Sequence, residues 1–348
     1  VAGQAVSTGT LRLATVDAAT WDAFVAAHPH GHLLQLSAWG QLKASAGWVP
    51  QALGLHDRAG QLVAGAQLLV RRRFGVAAAY APRGPLFSGD AAIDRQLVSG
   101  LVSHARRQLA VFLRLEPNLT HADAGAAGLA ALLRAQHLLP VAPVQPAVSL
   151  HVPLAGTPET LLRGVSKGHR ADIRRAERDG VVVRVGTDTD LARFYQIMQE
   201  TAGRAGFGIH DAGYYSAALR VLGPRVRLWL AERDGAPHAA AFTALGPHTA
   251  AYLYSGSTAA GLRSGAQHAI QWAALQWAQA AGARDYDLWG VPAALADADG
   301  DAAAQQDPLY GVYRFKRGFG GRLVCYVGAY DAVLLAPLYH WWRRRMHG

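Results

Sequence analysis

One order of patterned segments occurs twice along the 348 residues, and this constrains the fold more than any single motif. From residue 11 the patterning predicts a strand, then helices over 18–27 and 37–46. Alternating strands follow at 51–56, 61–72 and 76–81, then a helix over 91–109, a buried strand at 111–116 and a helix over 124–136. Pro140, Pro143 and Pro146 punctuate the next connection. The second run opens with a strand at 148–152 and one long helical stretch over 157–178, whose Thr157-Pro158-Glu159 places proline in the first turn. A strand at 181–185 and helices over 189–205 and 212–222 come next. Strands at 226–233, 236–245 and 249–255 follow, with turns at Asp234-Gly235 and Gly246-Pro247. A helix over 264–282 and a buried strand at 286–289 precede an acidic, alanine-rich loop over 297–307. A strand hairpin, a final strand at 325–330 and a closing helix from 332 complete the pattern. Two tandem α+β domains are predicted, each a mixed sheet flanked by helices. Their expected bounds are 1–147, completed by 325–348, and 148–324.

Composition narrows the class. Half the residues are hydrophobic and 17% are charged, so a large core is available and wholesale disorder is excluded. Thirty-four Lys and Arg face 24 Asp and Glu, a net +10 that favours phosphate-bearing partners, either nucleic acid or an anionic membrane surface. Cys325 is the single cysteine, which excludes an intrachain disulfide and a cysteine-based metal site. His28, His30 and His32 alternate around Pro29 and Gly31 and read as a loop, so no metal is expected. Residues 1–10 have no basic and apolar leader pattern, and no run of about 18 apolar residues occurs that could span a bilayer. A cytoplasmic protein is expected.

Residues 309–321, Leu-Tyr-Gly-Val-Tyr-Arg-Phe-Lys-Arg-Gly-Phe-Gly-Gly, carry the densest chemical signal. Arg314, Lys316 and Arg317 alternate with Tyr313, Phe315 and Phe319. Rings that anchor a backbone while cations face outward suit a phosphate, a nucleic-acid end or a developing oxyanion. A solvated basic hairpin would have the same spacing.

Further segments join this one. Residues 167–181, Lys-Gly-His-Arg-Ala-Asp-Ile-Arg-Arg-Ala-Glu-Arg-Asp-Gly-Val, resemble the signature helix of the FemABX family of aminoacyl transferases. Residues 34–43 (Leu-Gln-Leu-Ser-Ala-Trp-Gly-Gln-Leu-Lys), 112–117 (Phe-Leu-Arg-Leu-Glu-Pro), 252–257 (Tyr-Leu-Tyr-Ser-Gly-Ser), 286–290 (Tyr-Asp-Leu-Trp-Gly) and the Phe315-Lys316 pair follow in the family's order. The resemblance spans roughly residues 11 to 345 and implies two domains of the acetyltransferase-like (GNAT) fold. It also implies an aminoacyltransferase that moves glycine, alanine or serine from aminoacyl-tRNA. The acceptor would be the side-chain amine of the third stem residue of a peptidoglycan precursor, UDP-MurNAc-pentapeptide or its lipid-linked form. No cofactor beyond aminoacyl-tRNA as co-substrate is implied. Some relatives carry a long helical arm in the second domain; no segment here is long enough for one.

Residue roles follow from the same resemblance. Lys43 matches a lysine that holds the precursor's phosphates, although a solvated helix cation would look alike. Tyr214 and Tyr254 match precursor-contacting tyrosines; a half-buried strand tyrosine is the rival for Tyr254. His210 stands where relatives often have arginine, and an imidazole does not replace a bidentate guanidinium–phosphate contact. Arg204 is the candidate substitute. Phe315 and Lys316 match the pair that positions the aminoacyl end of tRNA and neutralises charge in the transition state. Arg314 and Arg317 are candidates for tRNA phosphates. Glu116 matches a carboxylate suspected as a base, with a cap or core-edge salt bridge as its rival.

Two other functions compete. An acyl-CoA N-acyltransferase of the same fold needs a glycine-rich turn at a helix start to cradle pyrophosphate. Gly261-Leu262-Arg263-Ser264-Gly265-Ala266 is a degenerate version of that turn. A non-catalytic RNA-binding module would use the positive charge alone, yet no stacked-aromatic RNA platform is present. Residues 334–345, with leucines, Trp341, Trp342 and Arg343, Arg344 and Arg345, suit either an interfacial helix at the inner membrane or a helix that packs its tryptophans on the first domain. A monomer with peripheral membrane contact is expected.

Overall fold

The computed structural model describes residues 11–297 and 299–346. The leader reading of residues 1–10 therefore lies outside the described residues. The chain forms two compact units, residues up to Ala147 with those from Cys325 onward, and Val148–Val324.

The first unit begins with β1 (Arg12–Thr15), α1 (Ala18–Ala27), α2 (Ser37–Ala44), β2 (Val49–His56), β3 (Leu62–Arg73) and β4 (Val76–Arg83). It continues with α3 (Ala91–Arg107), β5 (Ala110–Pro117), α4 (Ala126–Ala135) and β6 (Leu139–Val141). The second unit runs through β7 (Val148–Pro153), α5 (Pro158–Gly164), α6 (Lys167–Arg178), β8 (Val182–Val185), α7 (Leu191–Ala205) and α8 (Ala212–Leu222). Then come β9 (Val226–Arg233), β10 (Ala236–Leu245), β11 (Thr249–Ser257), α9 (Gly261–Ser264), α10 (Ala266–Ala280) and β12 (Asp285–Gly290). It closes with α11 (Asp301–Ala304), α12 (Tyr310–Arg317) and β13 (Arg322–Cys325). The chain returns to the first unit with β14 (Ala329–Val333) and α13 (Ala336–Met346).

Each unit is a seven-stranded mixed sheet, in the orders β1-β2-β3-β4-β5-β14-β6 and β8-β9-β10-β11-β12-β7-β13. Antiparallel strands lead to one parallel pair in the matching place of each sheet, β4–β5 and β11–β12. The second parallel pair is registered only from Thr249↔Asp285 to Ala251↔Asp287, so the two strands part beyond that point. The slot next to the fifth strand is filled by the last strand of the chain in the first unit and by the first strand of the second unit.

β14 reaches its slot through a buried charge pair. The Arg114 Nε and Nη2 donate to the two oxygens of Asp331 at 2.7 and 2.8 Å, and the Tyr339 hydroxyl donates to the same carboxylate at 2.8 Å. Asp331 is wholly buried. Tyr339 and Trp342 of α13 then pack on Phe112 of β5.

Several expectations are corrected by the structure. Within 309–321, Tyr310–Arg317 form the helix α12 and not a hairpin: Tyr313 and Lys316 on this helix are buried at a spacing of three, and Phe319, just past its end, is buried with them. The stretch 157–178 breaks at Val165-Ser166, where Val165 turns extended and the Ser166 hydroxyl accepts from the His169 N–H to start α6. The stretch 264–282 breaks at Gly265 (φ 73°), whose absent Cβ would lie 2.7 Å from the Asp172 carbonyl oxygen. The final strand is 329–333 rather than 325–330, and α13 starts at Ala336 instead of 332, because Leu334 and Leu335 N–H still bond the Val111 carbonyl. The 297–307 segment also contains the short helix α11.

Removing Asp331 leaves Arg114 without its buried counter-charge. Asp331→Ala should destabilise the first unit by about 3–5 kcal/mol, whereas Tyr339→Phe should cost about 1 kcal/mol. Denaturant unfolding followed by tryptophan fluorescence measures both.

Candidate active site

Lys316 sits on the inner face of α12 with 6% of its surface exposed, and its Nζ donates to the Gly290 carbonyl oxygen at 2.7 Å. Gly290 ends β12, on the stretch where β11 and β12 have already parted. Burial lowers the Lys316 ammonium to about 8, while the Asp287 carboxylate acts in the opposite direction. The amine therefore remains mostly charged at neutral pH but loses its proton more readily than an exposed lysine.

The carbonyl that holds Lys316 is itself fixed. Asp287 is buried, and its Oδ1 accepts from the Trp289 N–H at 2.7 Å, closing a turn in which Trp289 takes φ 67°. His151 Nε2 lies 3.5 Å from the same oxygen. From the other side, His169 Nε2 donates to the Phe315 carbonyl at 2.8 Å. The Phe315 ring, half-buried, meets His268 at 5.0 Å and Phe319 at 5.3 Å. The sequence pattern singled out Phe315 and Lys316 but missed His169, His268, His151 and Asp287. His169 and Asp172 were detectable as an i, i+3 pair inside the 167–181 segment; His268 left no local signal.

The donor atoms of His169, Asp172 and His268 lie within 4.8 Å of one another, a grouping that the expectation of no metal did not foresee. Asp172 is engaged by Arg175 at 2.9 Å and faces His268 at 3.5 Å, so these groups serve helix packing as they stand. Burial, with His169 adding to it, lowers His268 to about 4, and the ring is neutral at pH 7. Arg314 and Arg317 lie on the exposed side of α12.

A second grouping in this unit joins three of the residues named from sequence. The Tyr214 and Tyr254 hydroxyls are 3.1 Å apart, and the His210 ring stacks on Tyr214 at 3.8 Å between centroids. Burial raises Tyr214 to about 12 and also raises Tyr254 well above the usual phenol range, so both phenols stay protonated and able to donate. Arg204 is otherwise engaged: its Nη2 donates to the Ser257 carbonyl at 2.9 Å and its Nη1 lies 3.5 Å from Glu200.

Lys43 and Glu116 belong to the first unit. Lys43 lies 4.9 Å from the centre of the Trp39 ring, and burial lowers it to about 8. Glu116 is 1% exposed and accepts from the Tyr80 hydroxyl at 2.6 Å, the Gln145 N–H at 2.8 Å and the Val144 N–H at 3.3 Å. Burial raises this carboxyl above its usual range. Enclosed among those donors, Glu116 anchors the 144–145 segment. His28 and His32 are buried and accept from backbone N–H groups of their own loop.

The helix starts that would cradle pyrophosphate are occupied in both units. At α10, Ser264, Gly265 and Ala266 are buried under α6. At α3, the Asp90 carboxylate already accepts from the Ala92 and Ile93 N–H groups, and Asp94 adds a second negative charge. An incoming diphosphate would meet helix packing in one place and carboxylates in the other.

Known proteins agree with this architecture. A lipid II:glycine glycyltransferase of Staphylococcus saprophyticus is 25% identical, covering 91% of this chain and 92% of that relative. The crystal structure of FemX superposes with a TM-score of 0.84 at 21% identity, over 95% of this chain and 99% of that one. A tandem GNAT protein from the clavulanic acid biosynthesis pathway superposes with a TM-score of 0.54 at 14% identity, over 93% and 98%. Both structural likenesses concern the fold: two tandem GNAT-like units. A family model described as FemAB family matches residues 16–137, 141–238 and 230–343, and the chain belongs to that family.

Proposed function

We propose that this protein is an aminoacyltransferase that adds glycine to the stem peptide of a lipid-linked peptidoglycan precursor, with glycyl-tRNA as donor and the side-chain amine of the third stem residue as acceptor. The observation that carries the reading is Lys316, a charged amine sequestered from water at the end of a parted strand. The similarity to lipid II:glycine glycyltransferases supports glycine and the lipid-linked acceptor.

The chemistry is aminolysis of an ester. The acceptor nitrogen attacks the ester carbonyl, a tetrahedral oxyanion forms, and the ester C–O bond breaks as a proton passes from the amine to the departing ribose oxygen. An aminoacyl ester is already activated, so no covalent enzyme intermediate is required. The Lys316 ammonium neutralises the charge that develops on oxygen; in a dry site one such donor contributes on the order of 3 kcal/mol. The Phe315 ring shapes the approach of the terminal adenosine. The Tyr214 and Tyr254 hydroxyls, with the stacked His210 ring, supply donors and an aromatic face for the precursor. Arg314 and Arg317 face the tRNA backbone.

The occupied helix starts favour this reading over the acyl-CoA N-acyltransferase. A transfer assay with glycyl-, alanyl- and seryl-tRNA against nucleotide-linked and lipid-linked precursors, read by mass, should give a glycine adduct on the lipid-linked acceptor. Acylation that instead depends on acetyl-CoA would overturn it.

Two expectations concern Lys316. Lys316→Met should lower kcat by about 10²–10³-fold with little change in binding of either substrate; turnover at the parent rate would remove the lysine from the mechanism. Charge-dependent activity should hold below pH 8 and fall as pH rises through about 8, the pH at which the buried amine loses its proton. Asp287→Asn keeps an oxygen for the Trp289 N–H but removes the charge that favours the ammonium, so this alkaline limb should move to lower pH. A pH profile of kcat/KM for both proteins tests it.

A further inference from the structure

Several large apolar side chains of the first unit lie uncovered at one end of its sheet, on the rim where β3 ends and β4 and β5 begin. The β3–β4 hairpin turns at Phe74, which is 90% exposed, and α3 hands over to β5 at Leu109, which is 58% exposed. Both take left-handed backbone, φ 50° and 55°, a region that disfavours bulky residues. Local strain at two neighbouring turns thus accompanies an apolar side chain facing water in each. The turns are joined: the Arg72 Nη1 donates to the Gln108 carbonyl at 3.0 Å, and the Ala77 N–H to the Leu109 carbonyl at 3.0 Å.

The C-terminal helix lies at the same rim. Leu334 and Leu335 N–H both bond the Val111 carbonyl, two residues beyond Leu109. Tyr339 and Trp342 of α13 face inward, in a cluster with Val111, Phe112 and Val76, the last being two residues from Phe74. Leu338 and Trp341 face outward, Trp341 with 55% exposed. Charge follows the same rim: arginines 71–73, Arg106, Arg107, Arg343 and Arg344 are all exposed. Segments 71–76, 104–109 and 334–344 contain no Asp or Glu.

We propose that this rim is a membrane-docking surface, with Phe74, Leu109 and Trp341 entering the interfacial region of a bilayer and the surrounding arginines pairing with anionic lipid headgroups. Exposed aromatic and aliphatic tips within a ring of cations match the two requirements of interfacial binding, apolar insertion and attraction to a negative leaflet. An RNA surface would account for the arginines but not for uncovered Phe and Leu tips held in strained backbone. The inference extends the C-terminal helix to a three-segment surface. It is independent of the proposed reaction, since lipid binding requires no substrate.

Flotation of the full chain with phosphatidylcholine vesicles, with and without phosphatidylglycerol, tests it. The chain should float with the anionic vesicles, weakly with the neutral ones, and less as salt rises. Phe74→Ser with Trp341→Ser, which leaves net charge unchanged at exposed positions, should reduce vesicle binding at least tenfold while circular dichroism and tRNA binding stay as in the parent. Each Arg→Gln change among residues 71–73 should cost about fivefold. No flotation with anionic vesicles, or flotation unaffected by the serine pair, overturns the proposal. Loss of tRNA binding in the serine variant with vesicle binding intact would instead assign the rim to RNA.

Discussion

The bidentate bond between Arg114 and Asp331 joins residues 217 positions apart, and the first unit is built around it. It seats β14 between β5 and β6, and β6 is too short to hold a sheet edge without that partner. Burying a carboxylate completely is costly unless its oxygens are filled. Here both are, by one guanidinium and by the Tyr339 hydroxyl. The same tyrosine begins the cluster that places α13 on β5, so one polar triad fixes both the last strand and the last helix. The proposed docking rim depends on that placement.

The second unit answers a related problem with opposite chemistry. Lys316 is buried without a direct carboxylate bond; its partner is a backbone carbonyl, and the Asp287 charge acts from behind that carbonyl's turn. A full ion pair would hold the ammonium in place but also neutralise it. A carbonyl satisfies one N–H and leaves the charge without a direct counter-ion. The left-handed Trp289 is the structural consequence: β12 must bend away from β11 to present Gly290, and Asp287 stabilises the bend.

How far these features could be read in sequence depends on the range of the forces that set them. The doubling, the mixed sheets and most strands were legible because hydrophobic alternation and turn residues act within a few positions. Residues 313–319 misled for the same reason. Aromatics and cations alternate there as in a half-buried strand, yet Tyr313, Lys316 and Phe319 are the residues that reach the core, a spacing visible only once burial is known. The breaks at Val165 and Gly265 arise from packing: the carbonyl of Asp172 sits where a Gly265 side chain would be. Glu116 was singled out in sequence only through the family resemblance, with a cap or core-edge salt bridge as its rival. Its partners, Tyr80 and the Val144 and Gln145 amides, come from distant positions.

By itself the sequence determined the α+β class, the tandem repeat, the excess of positive charge and the resemblance to an aminoacyl-transferring family, since composition, period and ordered motifs are local properties. Tertiary structure alone decided that Lys316 is a buried helix cation instead of a loop cation, that His169 and Asp287 fix the backbone around it, and that both candidate pyrophosphate cradles are filled. It also decided that Phe74, Leu109 and Trp341, among neighbouring arginines, are exposed to solvent. Each of these depends on which distant side chains exclude water from a given atom, and a linear pattern does not specify that exclusion.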